Sequence, residues 1–356
     1  MSSNDGMNYA PKGKPAAVVK PGEFPFAAAF LDHGHIFGQC NGLVEAGAEL
    51  RYVYDPDPAK VAHFCKTYPG VKPVDSFERL LEDPELKLIA AAAVPCERGP
   101  IGCRVLRAGK DYFTDKSPFT TLQQLADARK AVEETGRKYM VYFSERLHVE
   151  SAVFAGQLVK EGAIGKVIQV TGFGPHQLNA ASRPAWFFER AKYGGILCDI
   201  GSHQFEQFLY YSGATDASVL SATVGNKAHP EYPELEDFGD AHLLGNNGAT
   251  NFIRIDWFTP DASRTWGDGR TFILGTEGYI ELRKYVEVGR GEGGNQLYLV
   301  NNKVEEHHSL QGKVGFPFFG ELILDCLNRT ENAMTQAHAF KAAELCLLAQ
   351  AKAIRL

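Results

Sequence analysis

No apolar run in this chain approaches the ~20 residues that a helix needs to span a bilayer. The most apolar stretch, Leu88–Pro95, is short and ends in a proline, and it reads as a parallel strand buried on both faces. A basic stripe is missing as well. The 37 Lys and Arg are interspersed among 43 Asp and Glu for a net charge of −6, so neither nucleic acid nor a membrane surface is an expected partner. Met1–Glu23 is rich in Ser, Asn, Pro, Lys and Gly and lacks the apolar segment of a signal peptide. It reads as an extended N-terminal arm, disordered or lying across a neighbour. Seven cysteines are scattered without a CxxC pair, and an odd number cannot all pair within one chain. A disulfide scaffold and a zinc cage are thereby disfavoured, and reduced thiols in the cytoplasm are expected.

What is present is a globular composition, 44% apolar and 22% charged, in 356 residues, a length that favours two domains. From Phe24 to about residue 145, short apolar runs (Phe26–Leu31, Glu49–Tyr54, Leu88–Val94, Asp111–Thr114, Lys138–Phe143) alternate with helical stretches. Ser76, and Thr120 or Thr121, are placed to cap helices, and Gly136 to stop one. This alternation implies an α/β fold with a doubly wound parallel sheet that binds ligands at the carboxyl ends of its strands. Over residues 146–356 the texture becomes β-rich with glycine turns, as in a mostly antiparallel sheet with helices on one face, closed by helices at Phe319–Asn328 and Gln336–Ile354.

Three segments carry chemistry. The first strand–helix junction reads Phe30-Leu31-Asp32-His33-Gly34-His35-Ile36-Phe37-Gly38. A dinucleotide site wants glycines there, so that the backbone can approach a pyrophosphate at a helix N-terminus. Asp55 closes the second strand, where an acidic residue would bind the adenosine ribose, and no Arg adjoins it to hold a 2′-phosphate; the same residues also make an ordinary turn and helix cap. Lys116, in Asp115-Lys116-Ser117-Pro118, follows a strand on the ligand edge and is able to stabilise an alkoxide; a surface lysine in a turn is the plain alternative. In Gly194–Glu206, Asp199, His203 and Glu206 share one helix face. An imidazole beside a carboxylate suits a general base, while a core histidine satisfied by Asp199, or a metal site with His33 or His35, remain open readings.

These segments, in this order from about Phe24 to the C-terminus, resemble the Gfo/Idh/MocA family of oxidoreductases. Its Glu-Lys-Pro signature is similar to Asp115-Lys116-Ser117-Pro118, with Asp for Glu and one residue inserted. Its Gly-Gly…Asp-x-Gly-x-His signature is matched at Gly194, Gly195, Asp199, Gly201 and His203, and its Gly-Thr-x-Gly turn at Gly275–Gly278. The resemblance implies an N-terminal Rossmann domain over 24–145 that binds NAD, with NADP disfavoured. It also implies a C-terminal α/β domain over 146–356 for substrate binding and assembly into a homodimer or homotetramer. Lys116, Asp199 and His203 would be catalytic. Asp32, His33, Gly34, His35, Ile36, Gly38, Asp55, Pro95, Asp115 and Lys116 would meet the cofactor. Arg146 and Trp186 would join the catalytic group against a carbohydrate or polyol substrate. The departures are Phe30 and Asp32 in two glycine positions, Cys96 for an asparagine, and Trp186-Phe187 for a Trp-Arg pair.

The reaction so implied is NAD-dependent oxidation of a ring secondary hydroxyl to a ketone. Alternatives are an NAD-recycling lyase, epimerase or glycosidase-type enzyme, or a non-catalytic ligand-binding protein on the same fold. His148 and His176 are secondary candidates for the cleft. His307-His308 reads as an exposed loop, and Cys198 as packing.

Overall fold

The computed structural model describes residues 6, 7 and 9–356. Among the described residues the backbone falls into two compact units, one within Met7–Tyr142 with Phe316–Phe340 and the other of Gly6, Phe143–Gly315 and Lys341–Leu356. A single cut near residue 145 therefore does not describe the chain, because a C-terminal segment returns to the first unit.

In that unit the strands β1 (Pro25–Ala29), β2 (Glu49–Tyr54), β3 (Lys72–Pro73), β4 (Leu88–Ala91), β5 (Asp111–Asp115) and β6 (Tyr139–Tyr142) form one sheet in the order β3-β2-β1-β4-β5-β6. All its pairings are parallel. Helices α1 (His35–Glu45), α2 (Pro58–Thr67), α3 (Phe77–Glu82), α4 (Pro95–Arg107) and α5 (Leu122–Thr135) make the crossovers. Every residue of β1, β4, β5 and β6 is buried, as expected of strands covered on both faces. The strand order reverses between β1 and β4, which marks the switch point. Ser76 caps α3 and Thr121 caps α5, whose stop is Gly136 in the left-handed region.

Helix α4 begins at Pro95. Pro100 lies inside it and cannot donate to Cys96 O. The side chain of Gln124 takes that carbonyl instead at 2.8 Å, so the ladder loses no partner at this point. Residues 9–23 do not stand free. Ala16 and Val18 donate to the carbonyls of Glu45 and Ala46, and Gly13 N–H to the Glu45 carboxylate, so this part of the arm lies along its own unit. Residues 1–5 and 8 are outside the described residues.

The second unit opens with α6 (Ser144–Leu147) and α7 (Glu150–Lys160) and continues through the short helices α8 (Arg190–Tyr193) and α9 (Ile196–Asp199) to α10 (Gly201–Ser212). Its strands are β7 (Val167–Pro175), β8 (Ala217–Gly225), β9 (Phe238–Gly245), β10 (Thr250–Asp256), β11 (Arg270–Gly275), β12 (Gly278–Arg283), β13 (Val286–Glu287), β14 (Glu292–Gly293), β15 (Gln296–Asn301), β16 (Glu305–Ser309) and β17 (Ile354–Arg355). A nine-stranded sheet runs β16-β15-β12-β11-β7-β10-β9-β8-β17, with β13 and β14 as a separate ribbon. It is mostly antiparallel; β7–β10 and β8–β17 are the parallel pairs. His307 and His308 lie in β16, not in a loop. His307 bonds Gln296 at 2.8 Å and stacks on Tyr298, contacts that a strand edge supplies and a loop would not.

Candidate active site

In the first unit the altered glycine loop is accommodated by turning its bulk inward. Phe30 stands at φ +54°, a left-handed conformation that glycine adopts freely and an L-residue at a cost of about 1–2 kcal/mol. Its ring packs edge-on against Tyr54 and Phe77, contacts that offset this strain. His33 and His35 are buried beside Asp115. His35 Nδ1 lies 2.8 Å from Asp115 Oδ1, which also accepts the Lys116 N–H at 2.8 Å. His33 Nδ1 accepts the His35 N–H at 3.2 Å, so that nitrogen carries no proton. Burial, with the charge of His35, holds the His33 imidazole well below its usual range, consistent with this neutral form. Asp115 is held well below the carboxylate range. Burial opposes this, but His35 and Arg98 outweigh it.

Arg98 was not anticipated from the sequence. Buried at the start of α4, it donates to Ala93 O at 2.6 Å, to Ser117 O at 3.2 Å, to Lys116 O, and to Asp115 Oδ2 at 3.1 Å. It thus fixes both carbonyls of the turn that presents Lys116, itself buried. His33, His35 and Asp115 are the described residues close enough to share an ion. The Arg98 guanidinium already pairs with the Asp115 carboxylate of that group.

Around the adenosine position, Asp55 accepts the N–H of Leu31 at 2.6 Å and of Asp57 at 2.8 Å. Asp32 is ion-paired to Lys60 on α2 at 2.6 Å. Gly34 is the N-cap residue of α1 and supplies no side-chain cap bond. Two of the residues expected to meet the cofactor are closely packed. Ile36 is enclosed in the core. A Cβ on Gly38 would come within 2.4 Å of the Tyr142 hydroxyl, so glycine is needed there for helix–sheet approach. Pro95 is buried at the first position of α4.

Asp199 and His203 belong to the second unit. Gly194 and Gly195 both take positive φ, and a Cβ on Gly195 would meet the Gln350 amide at 2.3 Å. That close approach lets Gln350 accept the Leu197 N–H at 3.0 Å while Glu236 accepts the Ile196 N–H at 2.9 Å. These side chains satisfy the first amides of α9, and Asp199 is its last residue. The helix expected as one piece is interrupted at Ile200, and His203 lies in the first turn of α10 with its side chain buried. Cys198 is buried, and burial pushes its thiol far above the usual range.

Two charged groups missed by the sequence reading lie in this unit. Glu145 Oε2 accepts Lys284 Nζ and the Gln204 amide, both at 2.9 Å. Lys284 also donates to Gln207 at 2.7 Å, and Gln207 to the carbonyl of His203 at 2.9 Å. Glu145 Oε1 has no hydrogen-bonding partner among the described residues. Burial would raise this carboxyl, but Lys284, with His203 and His176, outweighs it and holds it at about 2. His176 Nδ1 lies 3.1 Å from Gly174 O, and its ring sits beside Trp257 and Trp266. Arg146, expected to face substrate, is instead consumed by an ion pair. Glu206 receives it at 2.5–2.9 Å and Tyr210 stacks beneath its guanidinium. This pairing also removes Glu206 from the metal site considered for Asp199 and His203. Trp186 is half-buried in the 3₁₀ turn Ala185–Phe188.

Residues 28–143 match the family description "Oxidoreductase family, NAD-binding Rossmann fold", and residues 153–281 match the GFO/IDH/MocA C-terminal domain. A crystal structure of a provisionally named oxidoreductase from Erwinia carotovora atroseptica is 52% identical, covers 94% of this chain and 99% of that one, and superposes with a TM-score of 0.91. A scyllo-inositol 2-dehydrogenase (NAD(+)) from Bacillus subtilis is 28% identical over 240 residues, 66% of each chain; just under two thirds of that enzyme is thus spanned. A levoglucosan dehydrogenase in complex with NADH and levoglucosan, 16% identical over 92% of this chain and 97% of its own, shares the fold with a TM-score of 0.73. The chain belongs to the Gfo/Idh/MocA family of oxidoreductases, with a NAD-binding Rossmann fold at its N-terminal end.

Proposed function

We propose that this protein oxidises a ring secondary hydroxyl of a sugar or polyol to a ketone with NAD, using Lys116, Asp199 and His203. The residues present fit the cofactor. Asp55 ends β2 where a ribose carboxylate belongs, α1 offers an N-terminus without a side-chain cap, and the two loop histidines turn inward. When bound, NAD supplies the hydride acceptor. His203 accepts the hydroxyl proton, Asp199 orients the hydroxyl, and Lys116 donates to the developing alkoxide. The observation that carries this reading is the buried His203 one turn beyond Asp199, in the unit where the ionised Glu145 bears on it electrostatically. A nearby fixed negative charge favours the imidazolium that forms when a base takes a proton.

The substrate class follows the inositol dehydrogenase relative, and scyllo-inositol and D-xylose are the first compounds to assay. Accumulation of reduced nicotinamide supports the reading. Conversion of substrate without net reduction would replace it with the recycling reaction. Seven free thiols suit a reducing cytoplasm. The exposed sheet face bearing Leu220, Leu244, Phe252 and Leu274 suits burial against a second copy.

A further inference from the structure

We propose that Asp32 selects NAD over NADP by neutralising Lys60, the cation that lies beside the cofactor's 2′ position. The inference rests on the reading of the first unit as a dinucleotide site, and it deepens that reading. Sequence alone offers no cation next to Asp55, because the residues following it are Pro56, Asp57 and Pro58. The fold supplies one from the first turn of α2. Lys60 Nζ lies 3.9 Å from Asp55 Oδ1, over the carboxylate that a ribose would meet, and 2.6 Å from Asp32 Oδ1.

The Lys60 side chain is 35% exposed and that of Asp32 17%, whereas Asp55 is at 1%. The pair is thus at the rim, where a bound nucleotide would find it. Both Asp55 oxygens accept backbone N–H groups, so the carboxylate is fixed and Lys60 is the movable partner. A 2′-phosphate needs a cation at this place. Paired with Asp32 at 2.6 Å, Lys60 is already neutralised, and two carboxylates would face the added dianion. Asp32 stands where the dinucleotide fingerprint has a glycine. The residue that departs from the fingerprint is thereby the one that excludes the phosphorylated cofactor.

The test is calorimetric titration of the full-length protein with NAD and with NADP, which reads binding without turnover. Asp32→Asn keeps the side-chain shape and removes the charge. It is expected to raise NADP affinity relative to NAD by roughly 10-fold or more, the worth of a freed charge-assisted contact. Adding Lys60→Ala to Asp32→Asn is expected to abolish that gain. Lys60→Ala in the otherwise unchanged protein is expected to leave NADP affinity within about twofold, and this arm does not depend on how Asp32→Asn folds. An unchanged NADP-to-NAD ratio in Asp32→Asn while NAD still binds overturns the proposal alone. So does a gain that survives loss of Lys60, or a tenfold fall in NADP affinity from Lys60→Ala by itself. Failure of the unchanged protein to bind either dinucleotide overturns the dinucleotide reading together with the proposal.

Discussion

Two buried carboxylates, one in each unit, have opposite settings. Asp115 is saturated. His35 and the Lys116 amide meet one oxygen and Arg98 the other. Glu145 receives both of its donors, Lys284 and Gln204, on one oxygen, and the second has no hydrogen-bonding partner among the described residues. A saturated buried carboxylate fixes geometry, here the turn that carries Lys116. An ionised carboxylate with a spare oxygen, acting on two histidines through space, adjusts charge where protons move. The difference lies in partner count, not in burial, since both side chains are almost wholly enclosed.

The largest expected effect breaks the saturated side. Arg98→Ala leaves Asp115 buried beside two histidines and strips the carbonyls of Ala93, Lys116 and Ser117 of their donor. Loss of one partner of a buried pair costs about 3–5 kcal/mol, and a denaturant or thermal melt at neutral pH reads it. On the other side, Lys284→Met is expected to destabilise by a similar or slightly smaller amount, with a distinctive pH dependence. Glu145 is depressed from 4.5 to about 2, so its pairing stabilises the fold above its unfolded value and that contribution is lost as pH falls. The gap between Lys284→Met and the unchanged protein is therefore expected to close between pH 4.5 and about 2. A gap independent of pH would mean that Lys284 serves packing alone.

A smaller effect separates His33 from its neighbours. Its imidazole lies well below the usual histidine value of 6.5 in the folded state, so below that pH the unfolded chain takes up a proton that the fold refuses. Stability is expected to decline on acidification from pH 6.5, with a slope of at most about 1.4 kcal/mol per pH unit from this group. His33→Gln should flatten that slope between pH 6.5 and the onset of carboxylate titration; equal slopes in the two proteins would contradict the assignment.

Much of this organisation was legible in the sequence because it rests on local signals. The run Leu88–Val94 announced a doubly buried strand, and Thr121 and Gly136 bracketed α5. What could not be read depends on long-range partners. Nothing around Glu145 points to Lys284, 139 positions away, nor does the text around Arg98 reveal the carbonyls it holds. Nothing around Pro100 shows that Gln124, in the next helix, takes the carbonyl that the proline cannot reach. Arg146 looked available for substrate because Glu206 is 60 residues distant. Nor does a linear sequence say whether His33 and His35 point into a cradle or away from it.

The most direct test of the central claim compares the unchanged protein with His203→Ala, assayed for NAD reduction on a polyol that the unchanged protein turns over, with melting temperature as the control for folding. A loss of about 100- to 10,000-fold in kcat with the fold intact is the expected result. Near-full turnover by a folded His203→Ala protein would contradict it.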